Sequence, residues 1–294
     1  MKRVMGNARL SSGAYLPFPV LDDEMKISFL GGGNMAAALV SGMIAKGFAA
    51  DQISVIELSN ENRERLSLCH GVRAVAAPDK PALECDIFVL AVKPQQMRAA
   101  LAPLAGQLGN ALVVSIAAGL RVADLSRWLG GHRRIVRCMP NTPALIGAGI
   151  TGLFADPSVD AAGRQAAEAV LGAVGSTFWV DDESRIDCVT ALSGSGPAYV
   201  FHFIEAIEAA GVAQGFDTVE ARRIAIDTVL GAAKLAAASD ETPATLRERV
   251  TSKGGTTEAA LKVFFAHDLV GTVGEAVDAA ARRGRELGDM LSQD

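Results

Sequence analysis

The sequence predicts an α/β protein in which an N-terminal doubly wound sheet is followed by an all-helical C-terminal domain. The first observation is that eight short apolar segments alternate with helical patterns between Met25 and about Asp182. Several segments are apolar throughout, which is typical of strands buried on both faces of a parallel sheet. The second observation is that strand patterns stop after about Glu183 and only helical patterns follow. This rhythm indicates βαβ units and then a separate helical domain.

The predicted elements follow in order along the chain. The strands are residues 26–30, 53–57, 72–75, 86–92, 111–116, 133–139, 149–155 and 176–180. Helical patterns include residues 35–46, 61–69, 95–108 and 160–173 between the strands, and 188–213, 218–239, 244–250, 257–266 and 268–290 after them. We therefore predict three parts. Residues 1–24 form a flexible tail without the apolar segment of a signal peptide, residues 25–185 form the sheet domain, and residues 186–294 form the helical domain.

Composition and charge exclude several classes of protein. The 294 residues are 50% hydrophobic, so a sizeable core can be buried. A net charge of −5 and a pI near 5.5 argue against a nucleic-acid-binding protein. No apolar run approaches the ~20 residues that cross a membrane. The four cysteines are far apart and none lies near a histidine cluster, so we expect reduced thiols, a cytoplasmic protein and no metal site.

The segment FLGGGNMAAAL, residues 29–39, has the spacing of a dinucleotide-binding loop. It follows the first predicted strand and begins the first predicted helix, with Gly31, Gly33 and Ala36 in the order G-x-G-x-x-G/A. The first glycine allows the tight turn, the second lets a pyrophosphate approach the backbone, and the small third residue lets helix and strand pack closely. A plain glycine turn is the alternative. Because strand, loop and helix occur in the required order, we predict a Rossmann-type, dinucleotide-binding domain.

The end of the second predicted strand carries conflicting signals about the cofactor. Glu57 lies 21 residues after Ala36, where an acidic residue would bond the 2′-hydroxyl of NAD and repel a 2′-phosphate. Polar residues that follow could instead hold that phosphate: Ser59, Asn60, Asn62 and Arg63. Alternatively, Glu57 is a solvent-exposed acid at the end of a strand and has no role in binding. The residues thus leave NADPH and NADH both open.

Three further strand ends should lie beside the cofactor, because ligands of such sheets bind beyond the carboxyl ends of the strands. They carry Lys93-Pro94-Gln95, Ala117-Ala118-Gly119 and Pro140-Asn141-Thr142-Pro143. Small residues there would let the chain approach a flat ring, Lys93 could meet a phosphate or ribose hydroxyl, and Asn141 could bond a carboxamide. Each also has a structural explanation, as a surface lysine or as turn residues.

The stretch VTSKGGTTEAA, residues 250–260, interrupts the helical region and leads into a predicted helix. Successive glycines can gather backbone N–H groups into a concavity that binds anions, while the helix dipole and Lys253 add positive potential. Ser252, Thr256 and Thr257 add hydroxyl donors. The stretch is therefore suited to hold a small carboxylate, although a helix cap formed by Thr256 or Thr257 is the alternative.

Six segments occur in one order: FLGGGNM, AVKPQ, VVSIAAG, MPNTPA, LSGSGPAYVF and TSKGGTT. Together they resemble the pyrroline-5-carboxylate reductase family over about residues 25–290, and the last two motifs are specific to that family. The resemblance implies reduction of the cyclic imine 1-pyrroline-5-carboxylate to L-proline, the last step of proline biosynthesis, by hydride from NADPH or NADH. It also implies a homodimer of interleaved helical domains, often assembled further into rings.

The family's residue roles follow the same motifs. The resemblance implies that Leu30, Gly31, Gly32, Gly33, Asn34 and Met35 line the pyrophosphate, that Ser59 meets the adenosine ribose or its phosphate, and that Ala91, Val92, Lys93, Pro94, Ile116, Ala117 and Ala118 line the nicotinamide half. It implies that Ser252, Gly255 and Thr256 hold the substrate carboxylate and that Thr257, the catalytic residue, bonds the ring nitrogen. It also implies that the neighbouring subunit supplies part of the site. Two residues depart from the pattern. Lys253 stands where relatives often have proline, and Glu57 puts the usual NADPH preference in doubt.

Reduction of an imine by hydride transfer requires few catalytic side chains. A protonated imine accepts hydride readily, so positioning the imine carbon over the nicotinamide supplies much of the barrier reduction. Thr257 could donate to the ring nitrogen or relay a proton, and water could complete the step because an unperturbed hydroxyl is a poor acid. None of the four histidines lies in these motifs, so we predict no catalytic histidine.

Two other kinds of function stay open. β-Hydroxyacid dehydrogenases and other imine reductases share the strand-loop-helix start and usually use a lysine of the helical domain as proton donor. Lys234, Lys253 and Lys262 are available here, and only Lys253 lies in a motif. A dinucleotide-sensing regulator is the non-enzymatic alternative, but it would leave the KGGTT segment without a function.

Overall fold

The protein has the predicted α/β architecture, and its computed structural model describes residues 25–293. The predicted tail, residues 1–24, lies outside the described residues. The strands are β1 Ile27–Leu30, β2 Ile53–Ile56, β3 Arg73–Val75, β4 Ile87–Leu90, β5 Leu112–Ser115, β6 Ile135–Met139, β7 Gly149–Ala155 and β8 Gly175–Trp179. The α-helices are α1 Asn34–Ala45, α2 Asn60–His70, α3 Lys80–Leu83, α4 Pro94–Leu101, α5 Val122–Trp128, α6 Ala161–Gly172, α7 Arg185–Val189, α8 Gly196–Ala213, α9 Thr218–Ala237, α10 Pro243–Arg249, α11 Thr256–Ala266 and α12 Leu269–Ser292.

The strands form one sheet in the order β3-β2-β1-β4-β5-β6-β7-β8. Strands β1 to β6 are all parallel, and Leu30 of β1 lies opposite Ile56 of β2 and Leu90 of β4. The direction of strand succession reverses between β1 and β4. Such a switch point opens a crevice beyond the carboxyl ends of the strands, where ligands of doubly wound sheets bind.

Strand β7 runs antiparallel to β6, unlike the parallel strands that its apolar sequence led us to expect. The connection between them covers only residues 140–148 and contains a short 3-10 helix, Thr142–Ile146. A parallel return needs a crossover of about a dozen residues or more, so this connection can only turn the chain back. Strand β8 then pairs in parallel with β7 after the crossover helix α6.

The core lies on both faces of the sheet, as the continuous apolar strand segments predict. Strands β1, β2, β4 and β5 are buried at every position. On one face Leu39 of α1 and Val170 of α6 belong to a single buried cluster. On the other face Met97 of α4 and Leu125 of α5 belong to a second cluster. The sheet is therefore covered by helices on two sides, as in other doubly wound folds.

Local sequence explains where several helices begin and end. The Ser59 hydroxyl accepts the Asn62 N–H at 3.3 Å and caps α2, and Asp160 accepts the Gly163 N–H at 2.8 Å and caps α6. The helix predicted over 95–108 stops earlier, at Leu101, and continues as a short 3-10 turn that contains Pro103. Proline lacks the N–H that an α-helix would need at that position.

The junction between the sheet and the helices is held by buried polar side chains. Arg137 of β6 is only 1% exposed. Its guanidinium donates to Asp187 Oδ1 of α7 at 2.6 Å and to Glu183 Oε1 at 3.3 Å. The same Glu183 oxygen accepts the Val122 N–H at 2.8 Å. These bonds fasten the first helical residues to two elements of the sheet domain.

The segment LSGSGPAYVF lies within the helical pattern predicted over 188–213 and is helical almost throughout. Residues Thr190–Gly194 form a π-helical turn between α7 and α8. The hydroxyl of Ser193 donates to the Val189 carbonyl at 3.0 Å, and Asn141 Nδ2 donates to the Ser193 carbonyl at 3.1 Å. The wider turn thus receives side-chain partners, and single π turns of this kind are frequent at functional sites.

The helical region buries few of its own residues. Helices α8, α10 and α11 contain no buried residue, and α9 buries only Ala221 and Ala225. Helix α12 packs Leu291 against the sheet cluster and buries only Ala281 and Gly288. Most apolar surface of this region therefore faces outward in a single protomer.

Candidate active site

The phosphate loop packs its first two glycines tightly and leaves the third open. Gly31 has a φ of +101°, and an added Cβ would lie 2.8 Å from the Ala91 carbonyl group. A Cβ on Gly32 would lie 2.7 Å from Leu66 Cδ1. At Gly33 a Cβ would meet no atom within 4 Å, and no side chain caps the start of α1 there. The loop therefore offers open space and helix N–H groups at Gly33, the geometry that a pyrophosphate requires.

Glu57 lies directly beside this loop. Its Oε2 accepts the Gly32 N–H at 2.7 Å and its Oε1 accepts the Ser59 N–H at 2.8 Å. Arg63 donates to the carbonyl oxygens of Glu57 and Leu58 at 2.8 and 2.7 Å. The carboxylate thus faces the backbone of the phosphate loop and the turn after β2. Ser59 follows in this turn and is exposed.

The carboxyl ends of β1, β4 and β5 bring the other predicted cofactor residues together. The Ala91 N–H donates to the Leu30 carbonyl at 2.8 Å, and the Ile116 N–H donates to the Leu90 carbonyl at 3.1 Å. Ala117 is buried, with its N–H near Ser115 Oγ at 3.4 Å. Some predicted residues are buried (Leu30, Gly31, Gly32, Ala117), others are exposed (Gly33, Asn34, Ser59, Lys93), and the rest are intermediate (Met35, Ala91, Val92, Pro94, Ile116, Ala118). One edge of the sheet therefore carries the glycine loop and the two small-residue loops side by side.

Asn141 is occupied by the backbone on two sides. Its Oδ1 accepts the Ile150 N–H at 3.0 Å, while its Nδ2 holds the Ser193 carbonyl. The side chain belongs to a residue that is only 8% exposed. It ties the start of β7 to the π-helical turn, which favours the structural explanation for this residue over contact with a ligand.

The KGGTT loop presents the start of α11, but its glycines do not form the expected N–H concavity. The Gly254 N–H donates to Glu258 Oε2, and the Gly255 N–H donates to the Ser252 carbonyl at 3.0 Å. Within residues 25–293, no acceptor bonds the N–H groups of Thr256, Thr257 or Glu258. The donors available to an anion are therefore the first-turn N–H groups of α11, where the helix dipole is also favourable.

Glu258 is a residue of this loop that the sequence reasoning overlooked. Its carboxylate binds the Gly254 N–H and forms an ion pair with Lys262 at 3.2 Å. An acid three residues after a helix N-cap is the signal that reveals it, because such a side chain reaches back to backbone N–H groups before the helix. Glu258 thus holds Gly254 at its φ of +74°.

No described hydrogen bond or ion pair connects the KGGTT loop to the predicted cofactor residues at the sheet edge. The hydrogen bonds and ion pairs described for residues 250–258 stay within residues 247–262. None of them joins this loop to the phosphate loop or to the ends of β4 and β5. Ser252 and Thr256 are exposed, and Gly255 and Thr257 are partly exposed. One protomer therefore brings the cofactor residues together and holds the loop as a separate, locally braced unit.

The described residues contain neither a cluster of metal ligands nor a membrane-spanning helix. Over residues 25–293, no three His, Cys, Asp or Glu side chains converge as metal ligands would. The same residues contain no helix with both the length and the apolar character for a membrane span.

Two family models match the chain. The model described as pyrroline-5-carboxylate reductase dimerisation matches residues 183–287. The model described as NADP oxidoreductase, coenzyme F420-dependent, matches residues 26–119. The second match covers the phosphate loop and the ends of β4 and β5, and the first covers the KGGTT loop.

Curated relatives and solved structures agree with these models. The chain is 45% identical to a pyrroline-5-carboxylate reductase of Pseudomonas aeruginosa over 91% of this chain and 98% of that protein. A structure of a pyrroline-5-carboxylate reductase from Coxiella burnetii has a TM-score of 0.86 and 40% identity, covering 90% of this chain and 98% of that one. The Plasmodium falciparum enzyme, solved with NADP bound, has a TM-score of 0.81 and 28% identity, covering 90% and 99%. This chain therefore belongs to the pyrroline-5-carboxylate reductase family.

Proposed function

We propose that this protein reduces 1-pyrroline-5-carboxylate to L-proline with NADPH as the hydride donor, as the last step of proline biosynthesis. The proposal rests on two features that this member of the family combines. The phosphate loop is open at Gly33, and the first N–H groups of α11, beginning at Thr256, have no acceptor among the described residues. The first feature fits a dinucleotide, and the second fits a small carboxylate.

The cofactor would occupy the edge of the sheet. Residues 30–35 would hold the pyrophosphate, Ser59 the adenosine side, and residues 91–94 and 116–118 the nicotinamide half. The residues fit this group because Gly33 leaves room that a side chain would fill. When bound, NADPH supplies a hydride from C4 of its nicotinamide. The chain contributes binding and orientation, and the small side chains of Ala91, Ala117 and Ala118 allow the ring to approach the backbone.

The substrate would be held by the KGGTT loop. The Ser252 and Thr256 hydroxyls and the N–H groups at the start of α11, next to Gly255, would bind the carboxylate. Charge-assisted hydrogen bonds of this kind are about twice as strong as neutral ones. Thr257 would place its hydroxyl at the ring nitrogen, where it donates a hydrogen bond or relays a proton from water. Fixing both ends of the small ring orients the imine carbon for attack.

The loop would reach the cofactor of the neighbouring subunit. Its hydrogen bonds stay within its own helix pair, and the outward apolar surface of the helical region gives a second copy a large area to cover. We propose a homodimer built by this region and assembled further into a ring. Light scattering on the purified protein measures its mass, and a monomer in solution would contradict the proposal.

The cysteines favour a reducing compartment for this protein. All four cysteines are free, and Cys69 and Cys188 are exposed. Burial raises the pKa of the Cys85 thiol to about 11, so it stays protonated at neutral pH. Exposed free thiols fit a reducing environment, which supports a cytoplasmic enzyme.

The test is a coupled measurement of proline formation and cofactor oxidation with 1-pyrroline-5-carboxylate. We expect NADPH oxidation in step with proline formation. We also expect Thr257→Ala to bind NADPH normally and to lose at least about 100-fold in turnover, the contribution typical of acid–base groups. Ser158→Ala serves as the control, because its exposed hydroxyl lies in the sheet region and only donates to the Arg133 carbonyl. Near-normal turnover by Thr257→Ala would remove Thr257 from the site, and no oxidation by the unaltered protein would overturn the proposed reaction.

A further inference from the structure

The carboxylate of Glu57 is a bridge between two parts of the cofactor-binding edge. Its two oxygens accept N–H groups from different segments, Gly32 in the phosphate loop at 2.7 Å and Ser59 after β2 at 2.8 Å. Gly32 and Glu57 are 25 residues apart in sequence. Both bonds are charge-assisted and have the lengths of strong hydrogen bonds.

The packing around Glu57 leaves the phosphate loop little freedom. A Cβ on Gly32 would lie 3.2 Å from both Cβ and Cγ of Glu57 and 2.7 Å from Leu66 Cδ1. The neighbouring Gly31 N–H donates to the Ile56 carbonyl at 2.8 Å. Two successive N–H groups of the loop are therefore tied to the end of β2, one by a backbone carbonyl and one by the Glu57 carboxylate.

The backbone of Glu57 is held by the side chain of Arg63. Arg63 of α2 donates through one nitrogen to the carbonyl oxygens of Glu57 and Leu58, and through the other to Asn60 Oδ1 at 2.9 Å. The turn from Glu57 to Asn60 is thus fixed to the helix that follows it. Turning the carboxylate outward toward a ribose would break both of its bonds and leave the buried Gly32 N–H without an acceptor.

We propose that Glu57 is a positioning residue that sets the shape of the phosphate loop, and that it does not select between the two cofactors through the adenosine ribose. This inference rests on the proposed function, since it concerns the dinucleotide of that same site. A group that shapes the pyrophosphate site contributes equally to NADPH and NADH, because the two share their pyrophosphate. A carboxylate that contacts the adenosine ribose instead strengthens NADH binding by accepting a hydrogen bond from the free 2′-hydroxyl. The same carboxylate weakens NADPH binding because it repels the 2′-phosphate.

The test uses Glu57→Asp in the full-length protein. This change keeps the negative charge but shortens the side chain by one methylene, so the carboxylate no longer spans Gly32 and Ser59. Dissociation constants for NADPH and NADH are measured by fluorescence of the reduced nicotinamide, and exchange of the Gly32 amide hydrogen is measured without cofactor. We expect both dissociation constants to rise by the same factor, roughly tenfold, and the Gly32 amide to exchange faster.

The control is Glu61→Asp, which makes the same chemical change on an exposed acid in the first turn of α2. We expect no change in either constant. A ratio of the two constants that shifts more than about threefold in Glu57→Asp, with the control unchanged, assigns Glu57 to the ribose and overturns the inference. Unaltered Gly32 exchange overturns it as well. If the unaltered protein binds neither cofactor, the proposed function itself fails, which is a separate result.

Discussion

The sheet region and the helical region of this protein are built on opposite principles. The largest fully buried side chains all lie between Ile27 and Arg137 in the sheet region, where β1, β2, β4 and β5 are buried at every position. In the helical region α8, α10 and α11 bury nothing, and Phe201, Val263 and Phe265 are each more than half exposed. One region completes a core from its own chain, while the other presents its apolar residues outward.

The difference teaches where each half obtains its stability. Helix α8, with the sequence GPAYVFHFIEAIEAAGVA, has apolar residues around most of its circumference. A helix of that kind is normally buried, and an exposed one indicates that another molecule covers it. The match of residues 183–287 to a dimerisation model agrees with this reading. The sheet region is thus a unit of folding, whereas the helical region is a unit of assembly.

The broadest effect, on both oligomeric state and turnover, is expected from placing a charge on the outward apolar surface. Leu230 of α9 is 48% exposed in the protomer. We expect Leu230→Glu to produce a monomer and to lose at least about 2 kcal/mol of association free energy, because an unpaired carboxylate would be buried in the interface. Reductase turnover should fall with the dimer, since we propose that the loop of the neighbouring subunit completes the site. Light scattering and the proline assay measure the two effects.

Leu68→Glu is the matched control for that experiment. Leu68 is 85% exposed on α2, on the sheet region. The same substitution there should change neither mass nor turnover. Equal effects of the two variants would contradict the division into a folding region and an assembly region.

The next effect concerns the fastening between the regions. Arg137→Met removes the guanidinium that binds Asp187 and Glu183 and leaves a largely buried carboxylate without its partner. We expect a loss of about 3–5 kcal/mol in the free energy of unfolding, measured by urea titration. Arg283→Met, which breaks an exposed pair with Glu286, should change stability very little. If both variants are equally stable, the buried pair does not fasten the regions.

A smaller effect separates stability from cofactor binding within the sheet region. Gly31→Ala combines a φ of +101° with a backbone clash at 2.8 Å, and should cost about 2–4 kcal/mol of stability. Gly33→Ala meets no protein atom, so it should fold normally and weaken NADPH binding. Thermal unfolding and fluorescence titration test the pair. Normal NADPH affinity in Gly33→Ala would contradict the pyrophosphate position.

The smallest effect is expected at Lys253, in the assembly region. This exposed lysine has no ion-pair partner within residues 25–293, so its charge is available to attract an anionic substrate. We expect Lys253→Ala to lower kcat/KM for 1-pyrroline-5-carboxylate by about threefold at low salt, and the difference to vanish at high salt. Lys80→Ala, which removes a lysine paired with Glu84 in the sheet region, should have no effect on either value. A salt-independent loss at Lys253 would point to a direct contact instead.

Much of the fold could be predicted from the sequence because the relevant signals are local. Apolar segments of strand length and glycines at fixed spacing act over a few residues, so they can be read in order along the chain. The strands and the phosphate loop are found where those patterns place them. The roles of the predicted site residues remain predictions, since contact with ligands is what defines them.

The sequence by itself determined the succession of strands and helices, the position of the glycine loop and the apolar character of the C-terminal helices. The antiparallel return of β7 against β6 follows from the short connection of residues 140–148, but only the tertiary structure decided that Glu57 binds the Gly32 N–H and that Arg137 meets Asp187. The physical reason is range. The bonds of Glu57 and Arg137 join residues 25 and 50 positions apart, and no local period encodes which distant groups the packed sheet will bring within reach.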